Sequence, residues 1–224
     1  MTFHDNQHMR FRNVLRTLAP ALALAAAAAA QVNIGVLGGL AGSVTEEGVA
    51  GFGETKFKPT NAYGATFNYR FSSGLSIGVR AEQFRMPLRE GSDALGNLQM
   101  RPVMVTIGGQ GRPPKGRGLT GHGQIGGGVS LCRFEKGSAI TDLERMFGAR
   151  VDVRTKTAPV FEMGGGLDYF ISRHVSFTTD FRILLSNVGT SWYAVGRQSV
   201  QIDNIEKFFA SNAQAIAGVR IWLW

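Results

Sequence analysis

Strict alternation between apolar and polar residues constrains the fold of this chain more than any other feature. From Tyr63 to Phe71, apolar or aromatic residues occupy the odd positions, and Gly, Thr, Asn and Arg occupy the even ones. After Ser72–Gly74, whose composition predicts a turn, the alternation resumes from Leu75 to Glu82. A period of two residues is that of a β-strand with one apolar face, so this segment predicts a β-hairpin.

The same period, with varying strength, brings the predicted number of strands to eight. The connections between them alternate between long and short, which is typical of an up-and-down β-barrel with both termini on the short-turn side. The predicted strands are Val32–Leu40, Tyr63–Phe71, Leu75–Glu82, Met100–Gly108, a stretch within Leu119–Phe134, Phe161–Tyr169, Val175–Ile183 and Ala213 to the C-terminus. The predicted longer loops are 41–62, 83–99, 135–158 and 187–212. In the last loop, Ile202–Ala210 has helical spacing, and it fits a helix or a strand extension equally well.

The first 30 residues resemble a secretory signal peptide. Arg10, Arg12 and Arg16 precede the apolar run from Leu18 to Ala30, which is too short to span a membrane as a helix. The run ends in three alanines before Gln31, which predicts cleavage near Ala30 and a mature domain of residues 31–224. Because Met1–His8 is poor signal-peptide material, we hypothesise that translation starts at Met9.

The charged residues indicate which strand faces of the predicted barrel point into the lumen. The polar strand faces carry four arginines, four carboxylates and many glycines, so we expect these faces to point inward and form a charge network in a narrow lumen. The aromatic residues Tyr63, Tyr69, Phe71, Tyr169 and Phe170 lie at strand ends, where membrane interfaces are expected. The alternative is a secreted β-sandwich with charged outer faces. The predicted lumen network is Arg70, Arg80, Glu82, Glu162, Asp168, Asp180, Arg182 and Arg220.

The sequence predicts no catalytic site, no metal site and no cofactor. Cys132 is the single cysteine, so no internal disulfide forms, and a small semi-buried residue is the expected role. His122, with Thr120 and Ser130 as its nearest hydroxyls, and the His174/Ser176 pair are candidates for an enzymatic alternative. The formal net charge of +8 comes without a basic stripe interleaved with aromatic residues, which disfavours nucleic-acid binding.

The hairpins Tyr63–Arg80 and Gly164–Phe177 resemble those of small outer-membrane β-barrel proteins of the OmpA/OmpW type. The end of the chain, Gly218–Trp224, resembles the terminal strand signal that the barrel-assembly machinery reads, although Trp224 is one residue out of phase with the apolar face. The resemblance implies a single eight-stranded antiparallel transmembrane β-barrel in the bacterial outer membrane, in contact with lipid and lipopolysaccharide. It also implies a non-enzymatic structural role or passive transport of small molecules, apolar ones included. The open alternatives are a barrel enzyme acting on lipid A, using His122 or His174, and a surface adhesin.

Overall fold

The computed structural model describes residues 31–43, 47–49, 52–57, 59–90, 93–195 and 199–223. The predicted signal peptide, the proposed start at Met9 and the out-of-phase Trp224 lie outside these ranges. No helix in the described part of the chain is long and apolar enough to cross a membrane.

Within these ranges the chain consists of eleven β-strands and one α-helix. In chain order, the elements are β1 (Gln31–Ser43), β2 (Glu47–Val49), β3 (Phe52–Phe57), β4 (Thr60–Arg70), β5 (Leu75–Glu90), β6 (Asp93–Gln110), β7 (Gly118–Lys136), α1 (Ser138–Phe147), β8 (Arg150–Thr155), β9 (Ala158–Phe170), β10 (Val175–Val195) and β11 (Ser199–Leu223). The eight strand segments predicted from the sequence are confirmed, and they lie in β1, β4, β5, β6, β7, β9, β10 and β11. The exceptions are their end residues Phe71, which follows β4, and Trp224, which lies outside the described residues.

These eight strands form a closed antiparallel barrel. Each pairs with its neighbours in chain order, and β11 pairs with β1 from Val32↔Leu223 to Ser43↔Asn212, which closes the ring. A closed ring has no unpaired edge strand, so each of the eight strands has a neighbour on both sides. The predicted fold class is therefore confirmed.

The two ends of the barrel differ in the length of their connections and in the secondary structure that these connections contain. Three short turns, 71–74, 111–117 and 171–174, lie at the end that also holds Gln31 and Leu223; we call it the turn end. Gly74, with φ of 90°, ends the first turn, where a side chain would be strained. The opposite end, the loop end, carries β2, β3, α1 and β8.

Two predicted loops are wrong. Most of 83–99 and of 187–212 continues as paired strand, in the β5–β6 and β10–β11 hairpins. Ile202–Ala210, for which helix and strand extension were both open, belongs to β11. The alternation weakens there because the β10–β11 hairpin extends past the closed part of the barrel, where it no longer needs one apolar face, while its backbone pairing continues.

Burial follows the predicted faces along the barrel wall. Outward residues such as Val36, Val105, Ile125 and Phe181 are more than half exposed, whereas their inward neighbours are buried or half-buried. Phe170 is an exception to the predicted aromatic belt, since its side chain is fully buried and faces the lumen. It lies next to Trp222, with ring centroids 5.1 Å apart, because strand alternation places it opposite in direction to the exposed Tyr169.

Candidate functional site

The lumen contains a layer of buried charges, which we call the charged layer. Its members are Arg80, Glu82, His122, Glu162, Asp168, Asp180, Arg182 and Arg220. They come from β5, β7, β9, β10 and β11, so the network ties together strands from most of the wall. A buried charge is costly unless it is paired, and every member of this layer has an oppositely charged partner within 4.0 Å. Some of their buried atoms, Arg80 Nε and Arg182 Nη2 among them, have no hydrogen-bond partner in the described part of the chain.

In the part of this layer nearer the loop end, two arginines pair with two glutamates. Arg80 Nη1 lies 3.1 Å from Glu162 Oε2, and Arg182 Nη1 lies 3.7 Å from the same oxygen. Arg182 also donates to Glu82, and Gln124 Nε2 donates to the second oxygen of Glu162 at 3.3 Å. Each carboxylate therefore joins two or more strands.

In the part of the charged layer nearer the turn end, Arg220 and His122 pair with two aspartates. Arg220 Nη1 lies 2.8 Å from Asp168 Oδ1, and its Nη2 lies 3.4 Å from Asp180 Oδ2. His122 Nδ1 lies 3.0 Å from Asp168 Oδ2, while its Nε2 contacts Asp180 Oδ1. Each ring nitrogen of His122 thus lies within ion-pair distance of a carboxylate, and a doubly protonated ring would balance three arginines and one histidine against four carboxylates.

Arg70 was predicted in this network but lies apart from it. Its Nε donates to the carbonyl of Gln110 and its Nη1 to Oε1 of Gln31, both at 3.0 Å. It is the last residue of β4, so the register places it at the turn end, below the carboxylates. His122, which the sequence prediction left out, takes its place as the fourth cation.

Glycines make room for the charged side chains, as predicted. A Cβ on Gly64 would come 2.8 Å from Cγ of Glu82, and one on Gly164 would come 2.5 Å from Cγ of Arg182. Both distances are too short for a real contact. Any larger residue at these positions displaces a member of the charged layer.

Towards the loop end, the lumen is filled by apolar side chains, which we call the apolar layer. They are buried and packed into one cluster, with Cys132 and Phe134 partly buried against it. Cys132 thus has the semi-buried position expected from the sequence. The members of the apolar layer are Leu37, Ala41, Ala62, Phe84, Met86, Leu98, Met100, Met104, Ala158, Val160, Leu184, Val188 and Ile216.

The ladder between β5 and β6 is interrupted beside the apolar layer. Paired residues run up to Ala81↔Val103 and resume at Phe84↔Met100. Pro102, in the interval, lacks an N–H, and it remains paired with Ser130 on its other side, so the missing donor faces β5. On the outer surface, exposed Val103 gives way to exposed Arg101 at this height, which marks the upper rim of the apolar band.

Short polar contacts hold α1 and β8 at the loop end. Lys136 Nζ donates to Glu144 Oε1 at 2.7 Å, and the Val151 N–H donates to the same oxygen at 2.6 Å. The Lys136 ammonium and then the Val151 amide lower the pKa of Glu144 below its ordinary value. Ile140 of α1 is buried against Leu95. The sequence analysis had placed residues 135–158 in a loop and had not identified this helix.

The His174/Ser176 pair is not arranged as a catalytic dyad. Nδ1 of His174 lies 3.1 Å from the carbonyl oxygen of Trp222, and the buried Ser176 hydroxyl accepts a hydrogen bond from Trp222 Nε1 at 2.9 Å. Both residues thus contact Trp222 at the turn end. His122 has both ring nitrogens directed at carboxylates rather than at a hydroxyl.

Comparison with known proteins identifies the fold. No protein-family model and no curated protein sequence matches the chain. The chain is similar in structure to the outer-membrane protein OprG of Pseudomonas aeruginosa, with a TM-score of 0.60 and 13% identity over 87% of this chain and 96% of that one. It is also similar to Neisserial surface protein A, with a TM-score of 0.50 and 10% identity over 86% and 96% of the two chains. The chain thus has the fold of small outer-membrane eight-stranded barrels, as the resemblance of its hairpins implied.

Proposed function

We propose that this protein resides in the bacterial outer membrane and passes small apolar molecules, without chemistry, from the loop side into the bilayer. The observation that supports this proposal above all is the stacking of an apolar layer on a charged layer within one lumen. An apolar solute is compatible with the first layer and incompatible with the second. Its favourable path therefore leads sideways, into lipid.

The charged layer disfavours a water-filled pore. The Arg80, Arg182 and Arg220 side chains are at most 3% exposed, and they fill the section of the barrel that an aqueous solute would have to cross. An eight-stranded barrel is only wide enough to hold such side chains. Ion conduction would require breaking several buried pairs at once.

The apolar layer is adaptable and lies beside the weakest part of the wall. Met86, Met100 and Met104 project from β5 and β6, the two strands whose ladder is interrupted at Pro102. Methionine side chains are unbranched and repack around ligands of different shape. A missing backbone hydrogen bond lowers the cost of separating β5 from β6 there.

The partners follow from the location that we propose. The outward apolar band requires lipid around it, with lipopolysaccharide facing the loop end and phospholipid facing the turn end. We expect cleavage of the signal peptide near Ala30 and delivery to the barrel-assembly machinery through the C-terminal strand. The similar structures OprG and NspA, an outer-membrane protein and a surface protein, support the location only through their fold.

A transfer assay tests the proposed function. Protein in liposomes is supplied with an apolar fluorescent probe, N-phenylnaphthylamine, and entry of the probe into the bilayer is followed with time. We expect Met100→Gln/Met104→Gln to slow the protein-dependent entry about tenfold, since a polar lining opposes an apolar solute by roughly 1–2 kcal/mol.

The matched control is Met163→Gln, which makes the same change on an exposed, lipid-facing side chain of β9. It should retain wild-type transfer. Folding of each variant is checked by its change in gel migration on heating. Equal transfer by wild type, the double variant and protein-free liposomes would refute the proposal.

A further inference from the structure

At the turn end, outside the two lumen layers, the barrel carries an open cavity of about 740 Å³. It is bordered by the start of β1 and by two of the three turns. Its lining residues are Gln31, Arg112, Pro113, Pro114, Lys115 and Arg173. We propose that this cavity binds the phosphate group of an anionic ligand, with the headgroup of an anionic phospholipid in the adjoining leaflet as its nearest source.

The turns around the cavity carry positive charge without compensation. Residues 71–74, 111–117 and 171–174 contain Arg112, Lys115, Arg117 and Arg173 but no Asp or Glu. Within the described ranges, none of these four cations forms an ion pair. At the loop end, by contrast, carboxylates lie among the surface cations and pair with some of them, as in Lys136–Glu144, Arg145–Asp142 and Arg154–Asp152. The turn end is therefore the surface that attracts an anion.

The cavity is held by a stiff framework. Pro113 and Pro114 fix two successive φ angles between Arg112 and Lys115, and the Gly111 N–H donates to the Gly121 carbonyl at 2.9 Å at the base of this turn. Side chains positioned in this way lose less entropy on binding than side chains on a mobile loop.

Arg70 orients Gln31 at the edge of the cavity. Its Nη1 donates to Oε1 of Gln31, which leaves the amide Nε2 of Gln31 as a donor for a ligand. Arg70 is therefore a positioning residue, and it adds its own charge to the field. This role accounts for a buried arginine that does not join the charged layer.

The chemistry and the depth of the site point to phosphate. Arg112 and Arg173 carry planar guanidinium groups, which bind phosphate through two parallel hydrogen bonds, and Lys115 adds a compact charge. The outward residues at the same end include the aromatic rings of Phe71 and Tyr169, which typically lie at the headgroup level. The phosphates of that leaflet therefore lie beside the cavity. This inference uses the membrane location proposed above but not the transfer of apolar molecules.

The experiment uses the full barrel in phosphatidylcholine nanodiscs with a minor fraction of phosphatidylglycerol. Native mass spectrometry counts the phosphatidylglycerol retained per barrel, and calorimetry at low salt measures binding of glycerol phosphate and inorganic phosphate. The test variant is Arg112→Gln/Lys115→Gln/Arg173→Gln. The control, Arg133→Gln/Arg145→Gln/Arg150→Gln, removes the same charge from exposed positions at the loop end.

We expect the wild type and the control to retain phosphatidylglycerol and the test variant to bind it about tenfold more weakly. Binding of the free phosphates with the same dependence on the three residues, without enrichment of the lipid, would support the site and assign it to a soluble phosphate ester. Equal loss in both variants would indicate general charge attraction and overturn the proposal. So would the absence of binding by the wild type.

Discussion

The charged layer and the apolar layer fill the same barrel, one above the other, and differ in how many packings each allows. In the charged layer, Asp180 alone contacts His122, Arg80 and Arg220, so moving one side chain leaves several partners unpaired. In the apolar layer, contacts are non-directional, and the three methionines can exchange one packing for another. The first layer specifies one structure, and the second is free to respond to a solute.

The position of each layer in the barrel fits this difference between a layer with one packing and a layer with several. The charged layer lies within the part of the barrel whose outer face is apolar, where it joins strands far apart in sequence, as in the pair of Glu82 with Arg182. The apolar layer lies at the height of the interrupted ladder and below the helix α1. In the proposed function, the charged layer is a rigid floor below an adaptable apolar filling, which is the arrangement that lateral transfer would need.

Removing one charge from the floor should have the largest effect. We expect Glu162→Leu to lower the free energy of unfolding by about 3–5 kcal/mol, because Arg80 and Arg182 then lose a shared buried partner. Urea unfolding in lipid, followed by tryptophan fluorescence, measures the change. As a control, Glu144→Gln breaks a more exposed pair with Lys136 and should cost little. Equal midpoints for Glu162→Leu and wild type would show that the charged layer is not a rigid element.

Shortening a side chain in the apolar layer should destabilise the protein less than removing a buried charge, and changing the shape of that side chain should destabilise it least. We expect Met104→Ala to lower the free energy of unfolding by about 2–3 kcal/mol through a cavity, and Met104→Leu by less than about 1.5 kcal/mol. The same urea titration compares the two variants. A Met104→Leu variant as unstable as Met104→Ala would mean that this layer is also tightly specified, and the contrast between the layers would disappear.

The barrel itself could be predicted from the sequence, because an apolar outer face and a narrow polar lumen impose the two-residue period on its strands. The inward direction of Arg80, Arg182 and Arg220 followed from the same period. In 187–212 the sequence does not keep the strict two-residue period, and backbone pairing alone extends β10 and β11. The prediction failed there for that physical reason.

The composition of the charged layer was harder to predict than its existence. Alternation assigns a face but not a height, and the inter-strand register sets the height. Arg70 lies next to the 71–74 turn, a signal that it sits at the end of the lumen, whereas His122 lies four residues inside β7 on the same face as Gln124. The basic cavity at the turn end was also missed, since Arg112 and Arg173 are 61 residues apart in the sequence and line one cavity only because β7 pairs with β9.

Acid should affect the loop end through Glu144. The lowered pKa of Glu144 means that its ionised form is stabilised in the folded chain, so this stabilisation is present above the ordinary Glu range and is lost as the pH falls through the lowered pKa. We expect the amide proton of Val151, which donates to Glu144, to titrate with a midpoint below about 4.3. NMR of the barrel in micelles measures it. The Glu144→Gln variant provides the baseline, and a midpoint at or above the ordinary Glu value would contradict the assigned contact.

The smallest expected effect concerns lipid A and separates stability from chemistry within the charged layer. Replacing His122 with Ala removes a cation from between Asp168 and Asp180, so the unfolding free energy should fall, whereas His174→Ala at the turn end should change it less. Neither variant should change the lipid A mass spectrum of expressing cells relative to wild type or to cells without the protein, because both ring nitrogens of His122 face carboxylates and none is available to activate a hydroxyl. A known lipid A-modifying enzyme expressed in parallel verifies that the assay can detect a product. A new lipid A mass that requires the wild-type protein and disappears with His122→Ala would contradict this expectation. The charged layer would then be an active site, and the apolar layer would be the part of the lumen that binds the substrate.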